Sequence, residues 1–166
     1  MNIAGIIHES LNDGEGIRTV IFISGCKHNC YNCQNKRLFN FHYGKSFNKS
    51  MQDYLINYIK TDPLIDGITL SGGDPVYSAK ELIPFLQRVK KECPEKDIWM
   101  YTGFSYEKIK NEEILKYIDI LVDGQFVDSL KDLTLKFRGS SNQRIIDVQK
   151  SLQQNKVILY KEKELN

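Results

Sequence analysis

Val20-Ile21-Phe22-Ile23-Ser24-Gly25-Cys26-Lys27-His28-Asn29-Cys30-Tyr31-Asn32-Cys33 joins an apolar, β-branched run to three closely spaced cysteines. The run has the pattern of a strand buried on both faces. The thiols that follow are separated by three and two residues. That spacing lets one loop grip a cubic iron–sulfur cluster and leave one iron without a protein ligand. An ordinary electron-transfer cluster is held by four cysteines, whereas a metal site with an open position is a place for chemistry. The same residues admit a second reading, a closed structural zinc site made of Cys26, His28, Cys30 and Cys33. The tight spacing of all four ligands counts against it, because zinc sites usually draw two pairs from separated turns. Cys93, in Lys91-Glu92-Cys93-Pro94, reads as a small buried hydrophobe at a helix end.

Outward from this stretch, strand and helix alternate. Residues 17–24 read as the first strand, and residues 25–49 as a polar loop of a length that is usually functional. Ser50, with Asp53 three residues on, reads as the start of a helix carrying Met51, Tyr54, Leu55, Tyr58 and Ile59 on one face. A strand at 67–71 runs into Gly72-Gly73-Asp74-Pro75. Ser78-Ala79-Lys80-Glu81 reads as a capping box before Leu82, Phe85, Leu86 and Val89, with Pro84 awkward inside that helix. A third strand at 97–101 closes on Thr102-Gly103, helical spacing resumes from 106 to about 117, and a fourth strand at 119–123 ends in Gly124. Residues 144–148 and 157–160 read as strands flanking a short helix near 149–154. This order predicts an α/β fold with a mostly parallel sheet. Ligands of such sheets bind beyond the carboxyl ends of the strands. The cysteine loop, Gly72-Gly73-Asp74, Tyr101-Thr102-Gly103 and Asp123-Gly124-Gln125 are therefore expected to converge on one mouth.

The 166 residues suit a single domain spanning 1–166, with no internal repeat or linker. A hydrophobic fraction of 41% and a charged fraction of 27% are those of a soluble globular protein. A net charge of +2 gives no reason to expect nucleic acid or an anionic membrane as partner, and no apolar run is long enough to span a bilayer. Without an export signal the cysteines are expected to be reduced thiols in the cytoplasm. His8, His28 and His42 carry no catalytic pattern, and no catalytic side chain is assigned. Asp13-Gly14-Glu15-Gly16 reads as a tight turn, Arg18 as a carboxylate partner or a surface charge, and residues 137–144 as a donor-rich polar loop. The charge run at 161–164 reads as a solvated terminus.

Together these segments resemble the radical S-adenosylmethionine superfamily, whose cluster signature is Cys-x₃-Cys-x₂-Cys. Within it the chain is most similar to the activating proteins of anaerobic ribonucleoside-triphosphate reductase. Leu-Ser-Gly-Gly-Asp-Pro at 70–75, Val-Asp-Gly-x-Phe at 122–126 and Arg-Gly-Ser-Ser-Asn-Gln at 138–143 carry that closer likeness. The resemblance implies an open, partial (β/α) barrel with helices outside. It implies that Cys26, Cys30 and Cys33 ligate a [4Fe–4S] cluster and that S-adenosyl-L-methionine chelates the remaining iron. Gly72, Gly73 and Asp74 would hold its amino group, Asn32, Cys33 and Gln34 would border the adenine, and Thr102, Asp123 and Asn142 would lie near its carboxylate. An electron from a reductant such as flavodoxin would release a 5′-deoxyadenosyl radical, which would take a hydrogen from a glycine of the partner reductase. Four cysteines leave no room for the cysteine-rich inserts of pyruvate formate-lyase activators. Two departures stand out: Glu15 replaces a proline common in relatives, and Asn32 occupies a place before the third cysteine that is often aromatic.

Overall fold

The computed structural model describes residues 1–161, so most of the charged run at 161–164 lies outside the described residues. A seven-stranded sheet organises the chain. Its strands are β1 (Asn2–Ser10), β2 (Arg18–Ile23), β3 (Lys45–Ser46), β4 (Gly67–Gly72), β5 (Asp97–Tyr101), β6 (Ile120–Asp123) and β7 (Arg144–Asp147). They lie in the order β3-β1-β2-β4-β5-β6-β7, an open sheet. The four central strands, β2, β4, β5 and β6, run parallel, as strand–helix alternation requires. Both margins are antiparallel: β1 pairs with β2 and β3, and β7 pairs with β6. The margins reverse because no α-helix intervenes between β1 and β2 or between β6 and β7 to make a crossover.

Helices α1 (Lys49–Thr61), α2 (Ala79–Glu92), α3 (Tyr106–Ile109) and α4 (Val148–Gln154) contribute to a main core with one face of the sheet. Alternate strand residues make that face: Ile21 and Ile23, Ile68 and Leu70, Ile98 and Met100, Leu121, and Ile146. Leu55, Ile56 and Ile59 of α1 and Leu82, Phe85, Leu86 and Val89 of α2 fill the space above it. The helical face expected from 82 to 89 is thus the buried one. Cys93 is fully buried in the same core, its thiol 3.9 Å from the Ile56 carbonyl.

Several boundaries differ from the sequence reading. α1 is capped by Asn48, whose side chain accepts the Met51 N–H, and not by Ser50. Ser78 makes no side-chain cap, because a 3₁₀ turn at Pro75–Ser78 feeds directly into α2 and Asp74 caps that turn. Pro84 is accommodated inside α2. The helix expected from 106 to 117 is split into α3 and a 3₁₀ turn at Glu113–Tyr117. Residues 157–160 contribute a single bridge, Leu159 to Ile146.

The opposite face of the sheet is where the chemistry gathers. Trp99, Ile120 and Val122 form a small second core there with Tyr101, Phe137, Ile145 and Tyr160. Arg18 lies beneath it, fully buried, with its guanidinium 5.3 Å from the Trp99 ring centre. It donates to Thr69 Oγ1, to the carbonyls of Glu15, Ile68 and Asp97, and to Asp97 Oδ1 at 2.5 Å. Of the two readings open for Arg18, the carboxylate partner is the one observed. Asp13 is anchored nearby, accepting from Ser10 Oγ and offering its carbonyl to Thr69.

Candidate functional site

The loop that leaves β2 turns sharply at Gly25 and then carries the three cysteines. Asn29 and Asn32 take left-handed backbone, with φ of 51° and 53°, one immediately before each of the last two cysteines. Asparagine tolerates that conformation better than other side-chain-bearing residues. Asn32 thus suits a position where the chain must turn. Its side chain donates to Asp128 Oδ2 at 3.1 Å.

All three cysteines are free and half-buried, and they line one cavity. Its walls also include Gly72, Gly73, Thr102, Gly103 and Gly124, so the endings of all four parallel strands meet there. The convergence expected from the strand order is therefore the observed geometry. Gly72 has a φ of +104°, and a side chain on it would press on the backbone of Ile23 at 2.7 Å. A Cβ on Gly73 would sit 2.5 Å from the Gly25 carbonyl. The glycine pair therefore lets β4 lie directly against the root of the cysteine loop. Two ladder-like bonds lock that approach: Gly73 N–H to Ile23 O at 2.7 Å, and Asp74 N–H to Gly25 O at 2.9 Å.

A larger cleft of about 780 Å³ opens from the same place and shares Cys33, Asn35, Ser71, Tyr101, Phe126 and Gln143 with the cysteine cavity. That volume lies in the range of roughly 300–1,000 Å³ usual for small-molecule sites. Gln34 borders this cleft and a neighbouring hollow of about 460 Å³. Asn35, Phe126 and Gln143 were given no individual role from sequence, whereas Tyr101 was placed only as part of a strand ending. Asn35 donates to the Gly72 carbonyl at 3.2 Å, and Gln143 ties Gly124, Gly139 and Ser140 together. Tyr101 had a usable signal, since it ends a strand on the face opposite the helices. Burial, with the charge of Asp13 beside it, drives its phenol well above the ordinary tyrosine range.

The two buried carboxylates are both saturated by donors of the protein itself. Asp74 is 1% exposed and is not among the cavity-lining residues. It accepts from Val76 N–H, Gly103 N–H, the Thr102 hydroxyl and His28 Nε2, the last at 2.6 Å. Asp123 is equally buried and accepts from Tyr106 N–H and from both Nε and Nη2 of Arg144. Asn142 donates to the Gln125 carbonyl, also outside the cavity lining. Thr102, by contrast, borders the cavity while its hydroxyl serves Asp74.

A four-iron cube suits this donor set better than a single ion does. No three His, Cys, Asp or Glu side chains among the described residues stand close enough to grip one metal ion. A cube gives each thiolate its own iron, so the sulfurs need not meet at a point. His28, the fourth ligand of the zinc reading, is engaged by Asp74, and Cys93 is buried in the core. Burial pushes the Cys26 thiol up to about 11, against the lowering effect of the His28 backbone N–H; the charges of Asp74, Cys30 and Cys33 add to the rise. Metal binding must therefore displace a proton there.

Comparison with known proteins agrees with the cluster. A family model described as a 4Fe-4S single cluster domain matches residues 12–146. The anaerobic ribonucleoside-triphosphate reductase-activating protein of Haemophilus influenzae is 43% identical over 138 residues, covering 80% of this chain and 89% of that protein. The protein of the same description from Escherichia coli K12 is 40% identical over 136 residues, covering 79% and 88%. That of Enterobacteria phage T4 is 39% identical over 135 residues, covering 80% and 85%.

Proposed function

The chain belongs to the family of anaerobic ribonucleoside-triphosphate reductase-activating proteins, and from that premise we propose that it installs a glycyl radical in such a reductase. The observation that carries this reading is the meeting of three free thiols with the glycine-lined ends of four parallel strands. Cys26, Cys30 and Cys33 hold a [4Fe–4S] cluster, leaving one iron open for S-adenosyl-L-methionine. When bound, this pair supplies one-electron reductive cleavage of the sulfonium and, from it, the radical that oxidises the reductase glycine.

The protein's own part is binding, orientation and exclusion of water. Gly72 and Gly73, whose backbone carbonyls would serve as acceptors for an ammonium group, line the cavity with Thr102, Asn35 and Gln143. Gln34 and the backbone of Asn32 and Cys33 border the adenine. Asp74, Asp123 and Asn142 act at one remove, holding the strand ends that form the walls. Residues 1–161 hold an open α/β sheet, and we read it as a partial barrel of the radical S-adenosylmethionine type, a single activase domain over 1–166. No helix among the described residues is long and apolar enough to cross a membrane. We place the protein in the cytoplasm, with an electron carrier such as flavodoxin as reductant and no nucleic acid as partner.

Anaerobically reconstituted protein, reduced with dithionite, is expected to convert S-adenosylmethionine to methionine and 5′-deoxyadenosine. With the reductase present it is expected to produce a glycyl doublet by electron paramagnetic resonance. An intact cluster that consumes no S-adenosylmethionine refutes the reading.

A further inference from the structure

One side chain of the cysteine loop shapes the site without a thiol of its own. His28 lies between Cys26 and Cys30 and lines the same cavity, and its imidazole reaches to the ends of β4 and β5. Nε2 stands 2.6 Å from Asp74 Oδ2. The ring meets Phe104 edge-on, centres 4.5 Å apart, and leans on Tyr77 at 5.6 Å. A methyl on Gly103 would fall 2.6 Å from the ring, so that glycine makes the slot in which the imidazole sits. The backbone of the same residue is held from the other side, where Gln125 Nε2 donates to the His28 carbonyl at 3.0 Å.

Each of these contacts joins the loop to a different strand end: Asp74 follows β4, Gly103 and Phe104 follow β5, and Gln125 follows β6. We propose that His28 is a positioning residue, a peg that fixes the arc from Cys26 to Cys30 against three strand ends and presents the thiols to the cluster in one arrangement. This rests on the reading that Cys26, Cys30 and Cys33 hold a [4Fe–4S] cluster. Asp74 has the same significance from its side, because its carboxylate gathers His28, Thr102 and Gly103 at one point. Supporting partners of this kind orient metal ligands, and their loss typically costs about 10–100-fold in metal affinity.

The test compares His28→Gln with His28→Leu in the full chain. Glutamine keeps an N–H donor at similar reach, whereas leucine fills part of the slot and donates nothing. Each protein is reconstituted anaerobically with ferrous iron and sulfide, and iron per chain is measured. Cluster loss to excess chelator is followed by visible absorption, and the reduced cluster is examined by electron paramagnetic resonance. His28→Leu is expected to lose its cluster on the order of ten-fold faster than wild type, with a broadened resonance from several loop arrangements. His28→Gln is expected to restore both the rate and the line shape. Gly103→Ala pushes the ring from its slot without removing it, so it is expected to reproduce the leucine result even where the leucine variant fails to fold. A leucine or Gly103→Ala protein that holds its cluster as long as wild type overturns the proposal. So does a glutamine variant that fails as badly as leucine, since loss of packing alone would then explain the effect. Wild type that takes up no iron refutes the cluster assignment itself, a distinct result.

Discussion

Replacing Asp123 by asparagine separates a wall-building carboxylate from a cofactor ligand. Asp123 closes β6 and pairs in register with Arg144 of β7. It accepts the Tyr106 N–H at 2.7 Å, Arg144 Nε at 2.9 Å and Arg144 Nη2. Asparagine offers one oxygen for those donors and adds an N–H₂ that faces them. The loss of a charge-assisted hydrogen bond costs about 1.5–3 kcal/mol, and an orphaned buried donor about 1–3 kcal/mol more. The larger penalty for stranding a buried charge does not apply in full. Arg144 is about a third exposed and keeps its two bonds to Glu107. A net loss of about 3 kcal/mol follows, which lowers the melting temperature of a protein this size by about 6–12 °C. The assay is calorimetry or circular dichroism of the metal-free chain, paired with iron content and S-adenosylmethionine binding measured well below both transitions. We expect lower melting, full iron loading and nearly unchanged affinity for S-adenosylmethionine. Unchanged melting with a large loss of that affinity refutes the reasoning and makes Asp123 a direct contact.

Three further outcomes follow from the same geometry. Cys30→Ala is expected to abolish both cluster retention and cleavage of S-adenosylmethionine, as iron analysis and product chromatography would show; normal turnover would refute the ligand assignment. Arg18→Met removes donors to Thr69, three carbonyls and Asp97 from a fully buried position. It is expected to cost about 3–5 kcal/mol in denaturant unfolding, and a change within error would show that the network is dispensable. Glu107 is held down to about 2 from 4.5, first by its hydrogen bonds from Arg144. Because the folded value is depressed, its contribution to stability is complete above pH 4.5 and is lost as pH falls toward 2. Glu107→Gln is therefore expected to flatten that part of the acid-unfolding curve, and an identical curve would exclude the pair as a source of acid sensitivity.

The central parallel strands were legible because each is a short, largely apolar run followed by glycine or a small polar residue, and their order predicted the shared mouth. β1 was not legible. Ile3, Ile6 and Ile7 are interrupted by Ala4, Gly5 and His8, and as a margin strand it has mostly half-buried positions, without the continuous apolar signal of β2. The cap of α1 was misplaced because Asn48 and Ser50 are both competent caps, and only the path of the preceding loop decides between them. The partners of the buried carboxylates were beyond any local pattern. Asp74 meets His28 across 46 positions and Asp123 meets Arg144 across 21. A sequence shows that a polar residue ends a strand, not which donors reach it.

That distinction bears on the open iron position. A carboxylate close to the thiols is itself a competent iron ligand, and the charge of Asp74 is felt at Cys26. On the proposed reading, a free carboxylate here would compete for the iron that Cys26, Cys30 and Cys33 would leave without a protein ligand. Here its two oxygens are filled by Val76, Thr102, Gly103 and His28. The neutral groups that remain around the cavity, glycine carbonyls and the amides of Asn35 and Gln143, are weaker iron ligands but adequate partners for the ends of an amino acid. On that reading the donors around Asp74 would keep its carboxylate from serving as a further ligand. Loosening them is expected first to change cluster lifetime and line shape, before the fold gives way.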